Sequence, residues 1–228
     1  MNKITIAIDG FSSTGKSTLA KQLANQLGYV YVDTGAMYRA VTFFAMRHNL
    51  VSEDFLDADG LIKKLSEIKL YFQFNSDLGF AEMYLNEVNV ENEIRTIEVS
   101  RLVSKIAEIS EVRSKLVEQQ QEMGRNKGIV MDGRDIGTVV FPDAELKLFM
   151  TASAHTRAKR RFDELAEKGQ LVSYEEVLQN VQERDYIDTH RYDSPLVKAN
   201  DAIEIDNSTL TKKEQFELVL DLIHKFYN

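Results

Sequence analysis

The chain has 228 residues, 43% hydrophobic and 28% charged, with two prolines, no cysteine and a formal net charge of −8. That is enough apolar chain for one α/β domain with insertions and its own core, and there is no internal repeat or low-complexity linker to divide it. The acidic balance argues against general affinity for nucleic acid or anionic lipid, and the lack of cysteine excludes disulfides and thiolate metal sites.

In chain order, Ile4-Thr5-Ile6-Ala7-Ile8 is a short β-branched run that predicts a buried strand. It leads into Gly10-Phe11-Ser12-Ser13-Thr14-Gly15-Lys16-Ser17-Thr18, which fits G-x-x-x-x-G-K-[ST] without a mismatch. A loop of this kind wraps phosphates with backbone N–H groups, so Gly10 and Gly15 remove Cβ atoms where the chain turns or approaches the anion. Lys16 is placed to reach β- and γ-phosphates, and Ser17 to put a hydroxyl on magnesium. The helix that follows carries Leu19, Ala20, Leu23, Ala24 and Leu27 on one stripe, with Gly28 as its C-cap. Strand, loop and helix in this order predict a nucleoside-triphosphate site, with the helix's positive end facing the phosphates.

Tyr29-Val30-Tyr31-Val32 predicts a second strand, and Asp33-Thr34-Gly35 a turn opening a helix from Ala36 to about His48. Tyr38 and Arg39 fall near that helix's start, at the sheet end where α/β proteins bind ligands. A short helix, Leu61 to Glu67, then precedes two strand-like runs, Lys69–Phe74 and Ala81–Asn86, joined by a turn containing Asn75, Asp77 and Gly79. This hairpin predicts an inserted subdomain at about 61–105. Helical periodicity continues through Val99, Leu102, Val103, Ile106 and Ile109, then through Val112, Leu116 and Met123. Ser104 and Arg113 lie in this stretch and carry no signal by themselves.

Gly128-Ile129-Val130-Met131-Asp132-Gly133-Arg134-Asp135 is an apolar strand that ends in two acids and an arginine. An acid there suits a magnesium ion held directly or through water, which makes Asp132 the partner of Ser17. Glu145–Met150 and Ala202–Asp206 predict two more strands. Five strands alternating with helices imply a mainly parallel sheet with right-handed crossovers. Two arginine-rich helices separate the last two strands and carry Arg157, Arg160 and Arg161, then Arg184 and Arg191. Lys159 and Arg160 fit a solvated face, whereas phosphoryl transfer calls for several cations, commonly on a closing lid.

Together these residues resemble the bacterial cytidylate kinases, essentially end to end. The likeness rests on the phosphate loop, on Asp33 to Arg39, on Asp132 to Pro142, on Glu183-Arg184-Asp185 with Asp188 and Arg191, and on Ser194-Pro195-Leu196 and Asp201-Ala202. The resemblance implies a P-loop fold with a five-stranded parallel sheet flanked by helices, a monophosphate-binding insert and a short helical lid at about 154–175, all in one domain spanning 1–228. It also implies γ-phosphate transfer from magnesium-ATP to CMP or dCMP. Arg39, Arg134 and Arg191 would hold the CMP phosphate, Ser104, Arg113 and Asp135 would read cytosine, and Arg184 with Asp188 would hold the sugar. Thr34 and Tyr38 join this set, and Arg157 and Arg161 belong to the lid over ATP.

The chain departs from the family pattern at Phe11 and Ser13, where proline and glycine are usual, which bears on loop stiffness and ATP affinity. Ser110 replaces a proline, and Asn86-Glu87 lacks the common hairpin glycine. The alternatives are another P-loop small-molecule or nucleoside-monophosphate kinase, a GTPase switch, or a non-catalytic nucleotide sensor. Asn126-Lys127-Gly128-Ile129 lacks the aspartate that guanine recognition wants, and a sensor needs no second arginine cluster. No apolar run approaches a membrane span, and the N-terminus is far short of a signal-peptide core. The expectation is a cytoplasmic monomer with no membrane or nucleic-acid partner.

Overall fold

A computed structural model of the chain describes residues 3–77 and 80–227, which form two compact units. The first takes the described residues within Met1–Asp33 and Gln120–Asn228, and the second those within Thr34–Gln119.

The first unit is built on five parallel strands: β1 (Thr5–Gly10), β2 (Val30–Asp33), β6 (Ile129–Gly133), β7 (Leu146–Thr151) and β8 (Ile203–Asp206). Their order across the sheet is β2-β6-β1-β7-β8. Every residue of β1 and β6 is buried, as expected of central parallel strands covered on both faces. Against them pack α1 (Lys16–Leu27) and α8 (Lys212–Tyr227), whose Leu19, Leu23, Val219 and Ile223 share a core with Ile6, Ile8, Val130 and Leu148. Gly28 closes α1 at φ 65°, where a left-handed residue lets Tyr29 N–H cap the Ala24 carbonyl.

Between β7 and β8 run α6 (Ala154–Glu167) and α7 (Tyr174–His190). Ser153 caps the first by accepting from Thr156 N–H, and Ser173 with Glu176 forms a capping box on the second. The segment expected as a lid, about 154–175, spans α6, the loop that follows it and the first two residues of α7.

The second unit contains α2 (Thr34–Arg47), α3 (Ala58–Lys64), α4 (Ile97–Ala107) and most of α5 (Ser110–Gly124). It also holds an antiparallel sheet of β3 (Leu70–Asn75), β4 (Phe80–Leu85) and β5 (Val88–Asn89). Leu70 pairs with Leu85 and Phe72 with Met83 on the face toward a core of Met37, Val41, Phe44 and Ile106. Tyr71 and Tyr84 stack on the opposite face.

Two local expectations change. The second helix starts at Thr34, so Gly35 lies in its first turn and not before it. The hairpin gains a third strand, because Asn86 and Glu87 both take positive φ, 48° and 69°, and make a two-residue turn into β5. At two residues β5 is too short to show any periodicity in sequence. In the expected turn between β3 and β4, Asp77 N–H bonds the Asn75 side chain, and Gly79 lies outside the described residues.

Candidate active site

The loop between β1 and α1 takes its shape from two glycines. Gly10 has φ 140°, and a Cβ there would stand 2.1 Å from the Met150 carbonyl oxygen of β7, so no side chain fits. Gly15 has φ 89° and caps α1. Ser13, in contrast, is a non-glycine residue at φ 58°, a conformation that strains an L side chain. The loop bonds to itself: Thr14 Oγ1 donates to the Phe11 carbonyl at 3.0 Å, and Lys16 Nζ donates to the same carbonyl at 2.5 Å. Lys16 is buried, and burial presses its ammonium down to about 7, with the nearby Arg134 cation adding to the effect.

Ser17 Oγ donates to Asp132 Oδ2 at 3.0 Å, and Tyr31 Oη donates to Oδ1 at 2.8 Å. Asp33 stands in register with Asp132 across β2 and β6. Burial and the Asp33 charge both raise the Asp132 carboxyl above its usual value. A serine hydroxyl and a carboxylate 3.0 Å apart are hard oxygen donors of the kind magnesium takes when a substrate's phosphates complete its shell.

A second polar cluster lies beyond β6. Arg134 Nε donates to Asp188 Oδ2 at 2.7 Å, and Arg191 comes within 3.7 Å of Asp135. Burial alone would raise the Asp188 carboxyl, but Arg134, Arg184 and Arg191 surround it and hold it below its usual range. Asp135 precedes a π-helical turn, Ile136–Val140, whose first two N–H groups donate to Asp9 at 2.8 and 2.7 Å. Asp9 escapes sequence reasoning. Its one signal is an acid that closes a buried apolar strand directly before the loop's first glycine.

In the second unit Thr34, Tyr38 and Arg39 occupy the start of α2, Ser104 lies buried on α4, and Arg113 lies buried on α5. The Arg113 guanidinium lies 5.8 Å from the Tyr38 ring centroid and donates to the Ala107 carbonyl at 3.3 Å.

The expected lid residues are already engaged. Arg157 is 4% exposed; it forks onto both oxygens of Asp185, donates to the Ala152 carbonyl at 2.9 Å and lies 5.1 Å over the Phe11 ring. Arg161 pairs with Glu164 at 2.9 Å. Lys159 is the solvated residue expected, paired with Asp163. Arg160 is not: it donates twice to Asn207, through Nη1 at 3.0 Å and Nη2 at 2.9 Å. Side-chain reach, invisible in helical spacing, brings it across to the end of β8. Asp185 stands in the sequence only as part of a matched motif with no role assigned to it, and Asn207 is not singled out there at all.

A parallel sheet with a glycine loop shaped for phosphate, a serine–aspartate oxygen pair and a second arginine–carboxylate cluster defines a P-loop phosphotransferase. The sequence profile of the cytidylate kinase family matches residues 6–225. The chain is 75% identical to the cytidylate kinase of Flavobacterium johnsoniae, covering 98% of this chain and 97% of that one. It is 71% identical to the cytidylate kinase of Flavobacterium psychrophilum, covering 98% and 99%. A solved shikimate kinase from Bacteroides thetaiotaomicron is a far looser likeness, 12% identical over 97% of each chain with a TM-score of 0.46. The chain belongs to the cytidylate kinase family.

Proposed function

We propose that the protein transfers the γ-phosphoryl group of ATP to CMP or dCMP, yielding ADP and CDP or dCDP. The observation that carries this reading is the pairing of a triphosphate loop with the separate Arg134, Asp135, Asp188 and Arg191 cluster, which a one-nucleotide switch would not need. The buried Ser12 hydroxyl supports the loop's role, since it has no hydrogen-bond partner among the described residues and lies in a segment suited to phosphate oxygens.

In this reading Gly10 to Thr18 cradle the donor's phosphates, and Lys16 exchanges its Phe11 carbonyl contact for the β- and γ-oxygens. Ser17 holds magnesium, with Asp132 acting directly or through water. Bound magnesium supplies charge neutralisation on the β- and γ-phosphates. Arg39, Arg134 and Arg191 hold the acceptor phosphate in line, Arg184 and Asp188 take the sugar with Thr34 and Tyr38 beside the acceptor, and Arg157 and Arg161 add cations over the transferring group. The protein contributes position and positive charge, with no covalent intermediate. The same reading takes the enzyme to be a cytoplasmic monomer acting on small molecules; no described helix is long and apolar enough to cross a membrane.

Base choice tests the assignment. Cytosine offers an amino donor beside two acceptors, which match a carboxylate at Asp135 and a guanidinium at Arg113, with Ser104 adding a hydroxyl. Uracil sets an oxygen against the carboxylate and an N–H against the guanidinium. Unpaired buried groups cost about 1–3 kcal/mol each, so kcat/KM for CMP should exceed that for UMP by roughly a hundredfold or more. Coupled ADP release is to be measured with CMP, dCMP, UMP, AMP and dTMP, in the wild type and in Asp135→Asn. Asp135→Asn is expected to narrow the CMP-to-UMP ratio while activity falls. Equal use of UMP by the wild type, or an unchanged ratio in the variant, would remove Asp135 from the cytosine site.

A further inference from the structure

Asn207 follows the last residue of β8 and is 2% exposed. Its backbone N–H extends the sheet by donating to the Thr151 carbonyl at 2.9 Å. Its side-chain amide is fully used. Nδ2 donates to the Thr14 carbonyl inside the phosphate loop and to Gln215 Oε1 on α8. Oδ1 accepts from Arg160 Nη1 on α6 at 3.0 Å, and the Asn207 carbonyl accepts from Nη2 at 2.9 Å. The neighbours dictate the amide's orientation, because a carbonyl can only accept and a guanidinium can only donate.

Two features of the loop give these bonds a purpose beyond packing. Ser13 is held at φ 58°, and a non-glycine residue persists there only where its surroundings over-determine the backbone. Thr14, the next residue, is fully buried; its carbonyl takes the Asn207 amide while its hydroxyl ties back to the Phe11 carbonyl that Lys16 also contacts. The fixation therefore acts directly beside the strained residue, on the turn that aims Lys16.

We propose that Asn207 is a positioning residue for the donor nucleotide: through the Thr14 carbonyl it holds the phosphate loop in its binding form, and through Arg160 it ties that form to the seating of α6. The proposal rests on the reading of this loop as the site of a nucleoside triphosphate.

The test uses the full chain with Asn207→Asp, Asn207→Ala, Arg160→Gln and Ser13→Gly, and Ser13→Gly combined with Asn207→Ala. Dissociation constants for magnesium-ATP and for CMP come from calorimetry, KM and kcat from coupled assay, and melting temperature from scanning calorimetry. Asn207→Asp keeps the shape but turns an oxygen toward the Thr14 carbonyl, and losing or reversing one buried bond of this kind weakens ATP binding by about tenfold. CMP binding is expected to stay within about twofold of wild type, the ordinary scatter for a site with no shared partner. Arg160→Gln weakens ATP binding by about threefold, since it removes the bracket but not the Asn207 bond itself.

Ser13→Gly relieves the strain and so recovers part of the ATP affinity lost in Asn207→Ala, a rescue that a role confined to joining β8 and α8 would not show. Variants that melt lower yet bind ATP as the wild type does would overturn the proposal, and so would a double variant no better than Asn207→Ala. If the Asn207 variants do not fold, unchanged ATP affinity in Arg160→Gln overturns it. A wild type that binds ATP but phosphorylates some acceptor other than CMP sinks the cytidylate kinase reading and leaves the Asn207 test intact; one that binds no ATP overturns both.

Discussion

Asp9 accepts two backbone N–H bonds at the start of the π-turn, and Gly137 leaves it room: a Cβ on Gly137 would lie 3.3 Å from the Asp9 carboxylate and 3.1 Å from the Lys147 stem. Burial pushes this carboxyl from 3.8 up to about 7, against the pull of the two N–H bonds. The folded protein therefore keeps the proton over a range where the unfolded chain has already released it. More protons bound in the folded state mean that stability falls as pH rises. Asp9 should thus contribute a loss of stability between about pH 4 and about pH 7, the two ends of its shift. Asp9→Asn is expected to flatten that part of the curve, as read from urea unfolding at intervals across the window. An identical slope in the variant would mean that Asp9 is ionised throughout.

At the scale of elements, α6 is tied to α7 by the Arg157–Asp185 fork, whose two residues are 28 positions apart in the chain. The fork fixes the Arg157 guanidinium in one position against α7. A double-mutant cycle with Arg157→Ala and Asp185→Ala should return a coupling of about 1–3 kcal/mol in unfolding free energy, as for a largely buried bidentate pair. Coupling near zero would make the fork incidental.

The β4–β5 turn carries a different kind of strain. Asn86 suits its left-handed position and also accepts from Lys69 N–H at 2.8 Å, whereas Glu87 is exposed at φ 69°. Glu87→Gly should raise stability by about 1 kcal/mol by removing the Cβ from a left-handed residue. A lower midpoint in urea would show that the Glu87 side chain contributes more than its backbone costs.

Across the whole molecule the buried apolar residues divide into two clusters, one within Ala36–Leu116 and one within Ile4–Ile223, and each lies inside its own compact unit. A cavity in one core should therefore loosen that unit first. Ile106 is fully buried in the second unit, and Ile106→Ala is expected to cost about 2–5 kcal/mol. Native-state hydrogen exchange should show protection lost across 34–119 while β1, β6 and β7 keep theirs. Loss spread evenly over both units would mean that the two cores unfold as one.

The phosphate loop, all five parallel strands and the arginine-rich helices are legible along the chain, because glycine spacing, β-branched runs and helical periodicity are local and each specifies backbone form within a few residues. The likeness to the family added the ligands proposed for the arginines. The sheet order, the π-turn, the strand β5 and the partners of Asp9, Arg157, Arg160 and Asn207 were decided only by the tertiary structure. Asp9 meets Gly137 across 128 residues, and Asn207 meets Thr14 across 193. Contacts of that span depend on which strands the crossovers lay side by side, and on buried polar groups finding whatever donor or acceptor lies within reach once water is gone. No periodicity in sequence records either choice, which is why Arg160 reads as a solvated charge and proves to be a bracket on the phosphate loop's support.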